Sequence, residues 1–424
     1  MNTLFYVPQR RARRRMAALV GAASLVVALA ACSSDSKTAT SSGSSSGAAN
    51  SSSAPAPTGP PIKIGMIADI TQAAVPLPEI EYGVDAGVKV VNDAGGVDGR
   101  PLQVIKCDGQ GNPTVNASCA RQMVDAGVAA VVGYGGATTD QSVPILDAAG
   151  IPMIGLESPT ALTFTSPMSF PVESITTKPG AVAAGIVKAG GKRIAIARLD
   201  VAGTATVKAS LEAVLKSQAL NAQVVADVPV PNQAPDMASY VATVLAANPD
   251  SLYFTGDGAT AQAFLTELRS QKSDIIIGMA TGNDNAVAKA MGKLGDGIVI
   301  VTSFESHPDA EPFKKFEAAL GSNASKASFA TGNAYAAVLV FADAAKGLTD
   351  VTPKAIAETL NSGTFPTDGF TPVLQYKTPN PNGGLPRVFN ACYLITQYEA
   401  ATGNAKFLTD NFVDSYTGKD CPVK

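Results

Sequence analysis

Ile62-Lys63-Ile64-Gly65-Met66-Ile67-Ala68 is the first strongly apolar run after a long polar stretch. A short, nearly unbroken apolar run of this kind reads as a strand buried on both faces, as parallel sheets require. Glu79 to Asn92 follows, with Ile80, Val84, Val88 and Val91 on one helical face. Leu102 to Lys106 reads as a second strand, Thr114 to Ala126 as a helix and Ala129 to Val132 as a third strand. Gln141 to Ala149 is the next helix and Pro152 to Leu156 the fourth strand. This alternation specifies the α/β class: a doubly wound parallel sheet with helices on both faces.

The same grammar restarts near Arg193. Strands are expected at Ile194–Leu199, Gln223–Val228, Leu252–Thr255, Ile275–Gly278 and Ile298–Val301. Helices are expected at Gly203–Ser217, Met237–Ala246 and Ala259–Ser270. Further helices lie at Ala310–Leu320, Ala330–Lys346 and Pro353–Asn361. The tail after Phe370 is rich in strand formers, with Val388–Gln397 the clearest run. The chain therefore holds two α/β units of similar size.

Composition agrees. About 360 residues follow residue 60, long for one core and typical of two lobes. Apolar residues make up 46% and charged residues 16%, so a large core can form. The net charge is −3, and removal of the arginine-rich start makes the rest more acidic. That argues against nucleic acid, which needs clustered Lys and Arg. There is no Trp and few other aromatics, which disfavours a sugar-stacking site.

The amino-terminal segment reads as an export signal. Arg10, Arg11, Arg13, Arg14 and Arg15 form a basic region, followed by the uncharged apolar run Ala17–Ala31. Leu29-Ala30-Ala31-Cys32 looks like a lipobox, with small residues before the cut and the Cys32 thiol to take up a diacylglycerol. Residues 1–31 are then a signal peptide, and residues 32–60 a tether of Ser, Ala, Gly, Thr and Pro. Such a tether has too little apolar surface to order itself and would reach roughly 30 Å on average. Cys107, Cys119, Cys392 and Cys421 allow three pairings outside the cell. Sequence proximity favours Cys107–Cys119 and Cys392–Cys421.

In open parallel sheets, ligands bind beyond the carboxyl ends of the strands, where helix N-termini present free N–H groups. This rule selects Thr71 and Gln72 after strand one, and Tyr134, Ala137, Thr138 and Thr139 after strand three. Ser158 and Thr160 follow strand four. In the second unit it selects Asp200, Asp257 and Asp284. Singly, Thr138, Thr139 and Ser158 also read as N-caps, Asp257 as a turn residue, and Asn283-Asp284-Asn285 as a cap. Convergence of these loops on one cleft favours a binding role. No nucleophile elbow joins a strand to a helix, no P-loop lysine motif occurs, and the lone His307 forms no triad. No C-x-x-C pair occurs either. The reading is a binder rather than an enzyme, without metal or cofactor.

The segment Val91-Asn92-Asp93-Ala94-Gly95-Gly96-Val97-Asp98-Gly99-Arg100-Pro101-Leu102 resembles a helix end and tight turn of the leucine-binding family. These are solute-binding proteins of branched-chain amino acid type ABC importers. Cys107-Asp108, Asn112-Pro113, Gly150-Ile151-Pro152-Met153-Ile154 and Ser158-Pro159-Thr160-Ala161 are similar to its next landmarks, and Ile300-Val301-Thr302-Ser303 to the strand entering its second hinge. The resemblance implies a two-lobed type I periplasmic-binding-protein fold with three hinge crossings, near Phe170–Ser174, Thr302–Ser306 and Gly369–Val373. Lobe I would comprise 61–173 plus 306–371, and lobe II 174–305 plus 372–424. It also implies a monomer that closes on a small ligand and delivers it to a membrane permease, or, as a sensor, presents it to a receptor.

In the family's amino-acid binders, first-lobe hydroxyls and amides hold the α-carboxylate, and a second-lobe acid and tyrosines help with the α-ammonium. Here the matching positions carry Ala137, Leu162 and Ala280 or Thr281, and the tyrosine expected near Asp200 is missing. Asp257, or Asp284 in its stead, must then replace the acid, because a buried ammonium needs a charged acceptor. If neither faces the cleft, an uncharged or anionic organic ligand is implied.

Overall fold

The computed structural model describes residues 55–72, 76–136, 138–156, 162–201, 204–232, 234, 236–272, 274–281, 284–382 and 384–423. The expected signal peptide, Cys32 and most of the tether lie outside them.

The first sheet is five-stranded and parallel, in the order β2-β1-β3-β4-β5. Its strands are β1 (Ile62–Ala68), β2 (Leu102–Asp108), β3 (Val131–Tyr134), β4 (Met153–Leu156) and β5 (Ser169–Glu173). Helix α1 (Pro78–Asp93) starts with Pro78 in its first turn beside Glu79 and Glu81, which suits the positive end of its dipole. Helix α2 (Pro113–Ala126) is capped by Asn112, whose side chain accepts from Thr114 N and Val115 N. With α3 (Val143–Ala148), α2 covers one face of the sheet through Met123, Leu146 and Tyr134.

The second sheet runs β14-β13-β10-β9-β8-β6-β7, with β15 (Val413–Asp414) paired to β13. Strands β6 (Arg193–Leu199), β7 (Gln223–Val230), β8 (Ser251–Thr255), β9 (Ile276–Ala280) and β10 (Val299–Thr302) are parallel. Strand β13 (Cys392–Glu399) is antiparallel to β10, and β14 (Asn404–Phe407) antiparallel to β13. Helices α4 (Lys178–Lys188) and α5 (Val207–Ser217) cover one face. Helices α6 (Ala238–Ala246), α7 (Gly258–Gln271) and α8 (Asp284–Ala290) cover the other.

After β10 the chain returns to the first lobe as α9 (Glu311–Leu320), α10 (Phe329–Ala345) and α11 (Pro353–Ser362). Helix α10 is buried around most of its circumference between α1 and the sheet. Glycines on α1 permit that approach: a Cβ at Gly83 would stand 2.2 Å from the Thr331 carbonyl oxygen. A short ladder of β11 (Thr364–Phe365) and β12 (Leu374–Gln375) closes this lobe.

The chain thus passes between the two sheets three times, but the third passage is not near Gly369–Val373. Leu374, Tyr376 and Phe389 belong to the core of the first lobe. Tyr376 stands edge-on to Phe170 and to Phe389, at 5.3 Å and 5.4 Å. The return to the second sheet follows Asn390, whose side chain holds Gln375 N. For the same reason the expected strand Val388–Gln397 starts only at Cys392: Phe389 fills the first core instead, and Val388 beside it is also buried. Segment Phe170–Ser174 is largely β5 rather than a free crossing.

Disulfides join Cys107 to Cys119 and Cys392 to Cys421, with Cα–Cα separations of 5.6 Å and 6.3 Å. The first ties the end of β2 to α2, and the second ties the start of β13 to the carboxyl-terminal segment.

Candidate functional site

In the first lobe the strand ends are organised by a carboxylate that the sequence does not mark as special. Asp69 is fully buried. Its Oδ1 accepts from Asn116 Nδ2 at 2.9 Å and Gly111 N at 3.1 Å, and its Oδ2 from Thr138 Oγ1 at 3.0 Å. Asn116 Nδ2 also donates to Thr138 Oγ1 at 2.7 Å. One side chain therefore pins the loops after β1, β2 and β3 together. A Cβ at Gly136 would lie 2.3 Å from Asp69 Oδ2, so only glycine lets the strand-three loop close on it.

Several expected ligand residues serve this scaffold instead. Thr71 donates to Asp108 Oδ2 at 2.5 Å, while Asp108 Oδ1 accepts from Ile70 N and Gln110 N, each at 2.9 Å. Against the upward push of burial, these bonds hold the Asp108 carboxyl below its ordinary range. Tyr134 points into the core against α2 and α3 and donates to the Thr139 carbonyl; burial pushes its phenol up. Thr139 is fully buried and donates to Gly136 O at 2.8 Å. Thr138 is half-buried and bonded to Asp69. The polar groups of Tyr134 and Thr139 thus bond within the fold, and the Thr138 hydroxyl bonds to Asp69. Gln72 is half-buried against Gly111. Ala137, Ser158 and Thr160 lie outside the described residues.

In the second lobe, Asp257 caps α7. Its Oδ1 accepts from Ala259 N and Thr260 N, each at 3.0 Å, and its Oδ2 from Thr260 Oγ1 at 2.5 Å. Asp284 is buried and opens α8; its Oδ1 accepts from Thr281 Oγ1 at 2.8 Å, and its Oδ2 stands 3.3 Å from Lys178 Nζ. Asp200 is exposed after β6, with its N–H donating to Val230 O. Neither acid proposed for an ammonium is free, and Asp200 is the remaining carboxylate of that set.

At the junction of the lobes lies a buried group that sequence reasoning missed. Glu173 ends β5 at 1% exposure, accepting from Ser303 Oγ and from Asn333 Nδ2. Burial pushes its carboxyl up, against the pull of Lys178 and of hydrogen bonds from Ser303, Asn333 and Tyr393. Thr177 Oγ1 and the Tyr393 hydroxyl lie 2.7 Å apart beside it. Lys178, in the first turn of α4, stands 4.3 Å from the ring centroid of Phe329. The one available signal was charge: Glu173 and Lys178 flank an otherwise uncharged stretch of Ser, Ile and Thr.

Residues 61–402 match the family model described as periplasmic binding protein. The chain belongs to this family of binding proteins. A 101-residue segment is 33% identical to Leu/Ile/Val-binding protein homolog 3 of Brucella melitensis, covering 24% of this chain and 27% of that protein. Solved structures agree on the fold. An extracellular ligand-binding receptor from Verminephrobacter eiseniae superposes with a TM-score of 0.68 at 17% identity, over 82% of this chain and 99% of that one. The branched-chain amino acid transporter substrate-binding protein LivJ of Streptococcus pneumoniae, in complex with isoleucine, gives 0.65 at 19% identity, over 82% and 98%. A solute-binding protein from R. palustris, in complex with 4-hydroxybenzoate, gives 0.64 at 17%, over 85% and 98%. The periplasmic family places the domain outside the cytoplasm, and no helix among the described residues is long and apolar enough to cross a membrane. No group of three or more His, Cys, Asp or Glu among them is placed to hold a metal ion.

Proposed function

We propose that this chain is an extracytoplasmic solute-binding lipoprotein that captures a small organic compound lacking an α-ammonium group and delivers it to an ABC permease. One observation carries the ligand reading: Asp257 and Asp284, the acids positioned to replace the family's ammonium acceptor, are engaged by a helix N-terminus and by Lys178. A buried ammonium without a free carboxylate loses the charged hydrogen bonds that offset its desolvation. The two liganded structures, one with an amino acid and one with a hydroxybenzoate, are consistent with a fold that does not by itself choose the ligand. First-lobe contacts are assigned to Gln72, Ser158 and Thr160; Asp200, exposed at the end of β6, is left outside the buried part of the site. Lipid on Cys32 and the tether would keep the domain near its permease and raise its local concentration there.

Native mass spectrometry of the full chain isolated from its own membranes tests this reading. The expected result is a lipid adduct on Cys32 and one small organic molecule, released on denaturation and lacking a primary amine. Unmodified Cys32 would overturn the anchor, and an α-amino acid as the released molecule would overturn the ligand class.

A further inference from the structure

Lys178 packs with the second lobe, at the start of α4, yet its ammonium faces Phe329, the first residue of α10 in the first lobe. Asp284, also in the second lobe, lies on its other side. Both charged side chains are nearly sealed from solvent, with exposures of 7% and 5%. A buried ion pair of this kind gains little over hydration unless further contacts compensate it. The Phe329 ring supplies such a contact, since a desolvated ammonium over an aromatic face is attracted by its quadrupole. Opening the lobes would remove the ring and return the ammonium to water.

We propose that Lys178 is a positioning residue for closure: a second-lobe cation, aimed by Asp284, that docks on the first lobe's Phe329 and sets the balance between closed and open forms. The inference rests on the reading that the two lobes close on a solute, but not on which solute or permease is involved. Every group facing the ammonium has a part. Asp284 balances it, and the Thr281 hydroxyl fixes Asp284 from the side away from Lys178. Glu173, at the end of β5, adds a further electrostatic interaction from the crossing strand. Phe329 comes from the helices of the first lobe and Glu173 from the end of its sheet, and the Phe329 contact is the one expected to part from Lys178 on opening.

The test is small-angle X-ray scattering on the full chain without added solute, comparing Lys178→Met, Phe329→Leu, the double variant and Lys178→Arg. Cooperative melting of each variant is checked first. Each of the first two should lower the ratio of closed to open form about threefold or more. The double variant should lower it no further than the larger single effect, because the two side chains act through one contact. Lys178→Arg, which keeps a cation over the ring, should retain the wild-type ratio. Scattering unchanged in Phe329→Leu would overturn the proposal, as would single effects that simply add. If either apolar variant fails to fold, Lys178→Arg against the remaining variant still decides it: an arginine variant as open as the apolar one excludes the cation. Failure of this test leaves the solute-binding reading standing, since that reading is judged by the bound molecule.

Discussion

At the scale of single residues, the chain uses carboxylates mainly as internal acceptors. Asp69, Asp108, Asp257 and Asp284 lie where strands end and helices begin, and all four accept from backbone N–H groups or neighbouring side chains. Asp257→Ala should therefore lower stability by about 1 kcal/mol through the lost cap, measured by chemical denaturation, with solute affinity unchanged. Lost affinity at unchanged stability would return Asp257 to the ligand. Glu173 has the opposite character, because burial pushes its carboxyl up. Its protonated form is favoured by the fold, so the stability it contributes is full below the ordinary carboxylate range. That contribution is lost as pH rises through the raised value. Glu173→Gln, which cannot ionise, should raise Tm by about 1–2 °C near neutral pH and leave it almost unchanged near pH 4. An equal shift at both pH values would show that packing rather than ionisation is responsible.

At the scale of elements, the strands and amphipathic helices were legible where a pattern distinguished inside from outside. Strand β1 coincides with its expected span, and α1 and β2 differ at their ends by one or two residues. Helix α4 was not read, and its burial explains why: Lys178 to Ile186 are all buried, so no 3.6-residue contrast exists to detect. The run Val388–Gln397 misled for a related reason. One apolar stretch serves two cores, and nothing in its composition marks Asn390 as the break. Topology selects the loops at the strand ends, but the partners of the side chains on them are not legible in the sequence. Whether Thr138 or Thr139 faces a ligand or Asp69 depends on contacts from distant segments, which spacing cannot supply. Close approach of helices is equally invisible until both are placed. The Gly83 site predicts that Gly83→Ala, whose Cβ would meet a backbone oxygen of α10, lowers stability by about 1–3 kcal/mol in urea unfolding. A neutral result would mean that α1 and α10 can separate without loss.

At the scale of the whole molecule, a parallel sheet and a mostly parallel one share three crossings, and polar groups from those crossings interlock. Glu173 of the first meets Ser303 of the second, and the Tyr393 hydroxyl, just past the third, donates to Ser174 O at 3.2 Å. A hinge held by such a network can bend while keeping its register, the behaviour that capture of a solute between lobes requires. The family and the fold establish a binding protein. What the residues add is a site in which the two acids proposed for an ammonium, Asp257 and Asp284, are already engaged, and this is the central claim. It is tested most directly by thermal denaturation of the full chain against matched pairs of solutes: an α-amino acid such as leucine beside its 2-oxo acid, and an aromatic amino acid beside the corresponding aromatic acid. A ligand of the folded state raises Tm by mass action. The account predicts that at least one ammonium-free member raises Tm, and by more than its amino-acid partner at equal concentration. An amino acid that stabilises the protein more than its ammonium-free counterpart would contradict it.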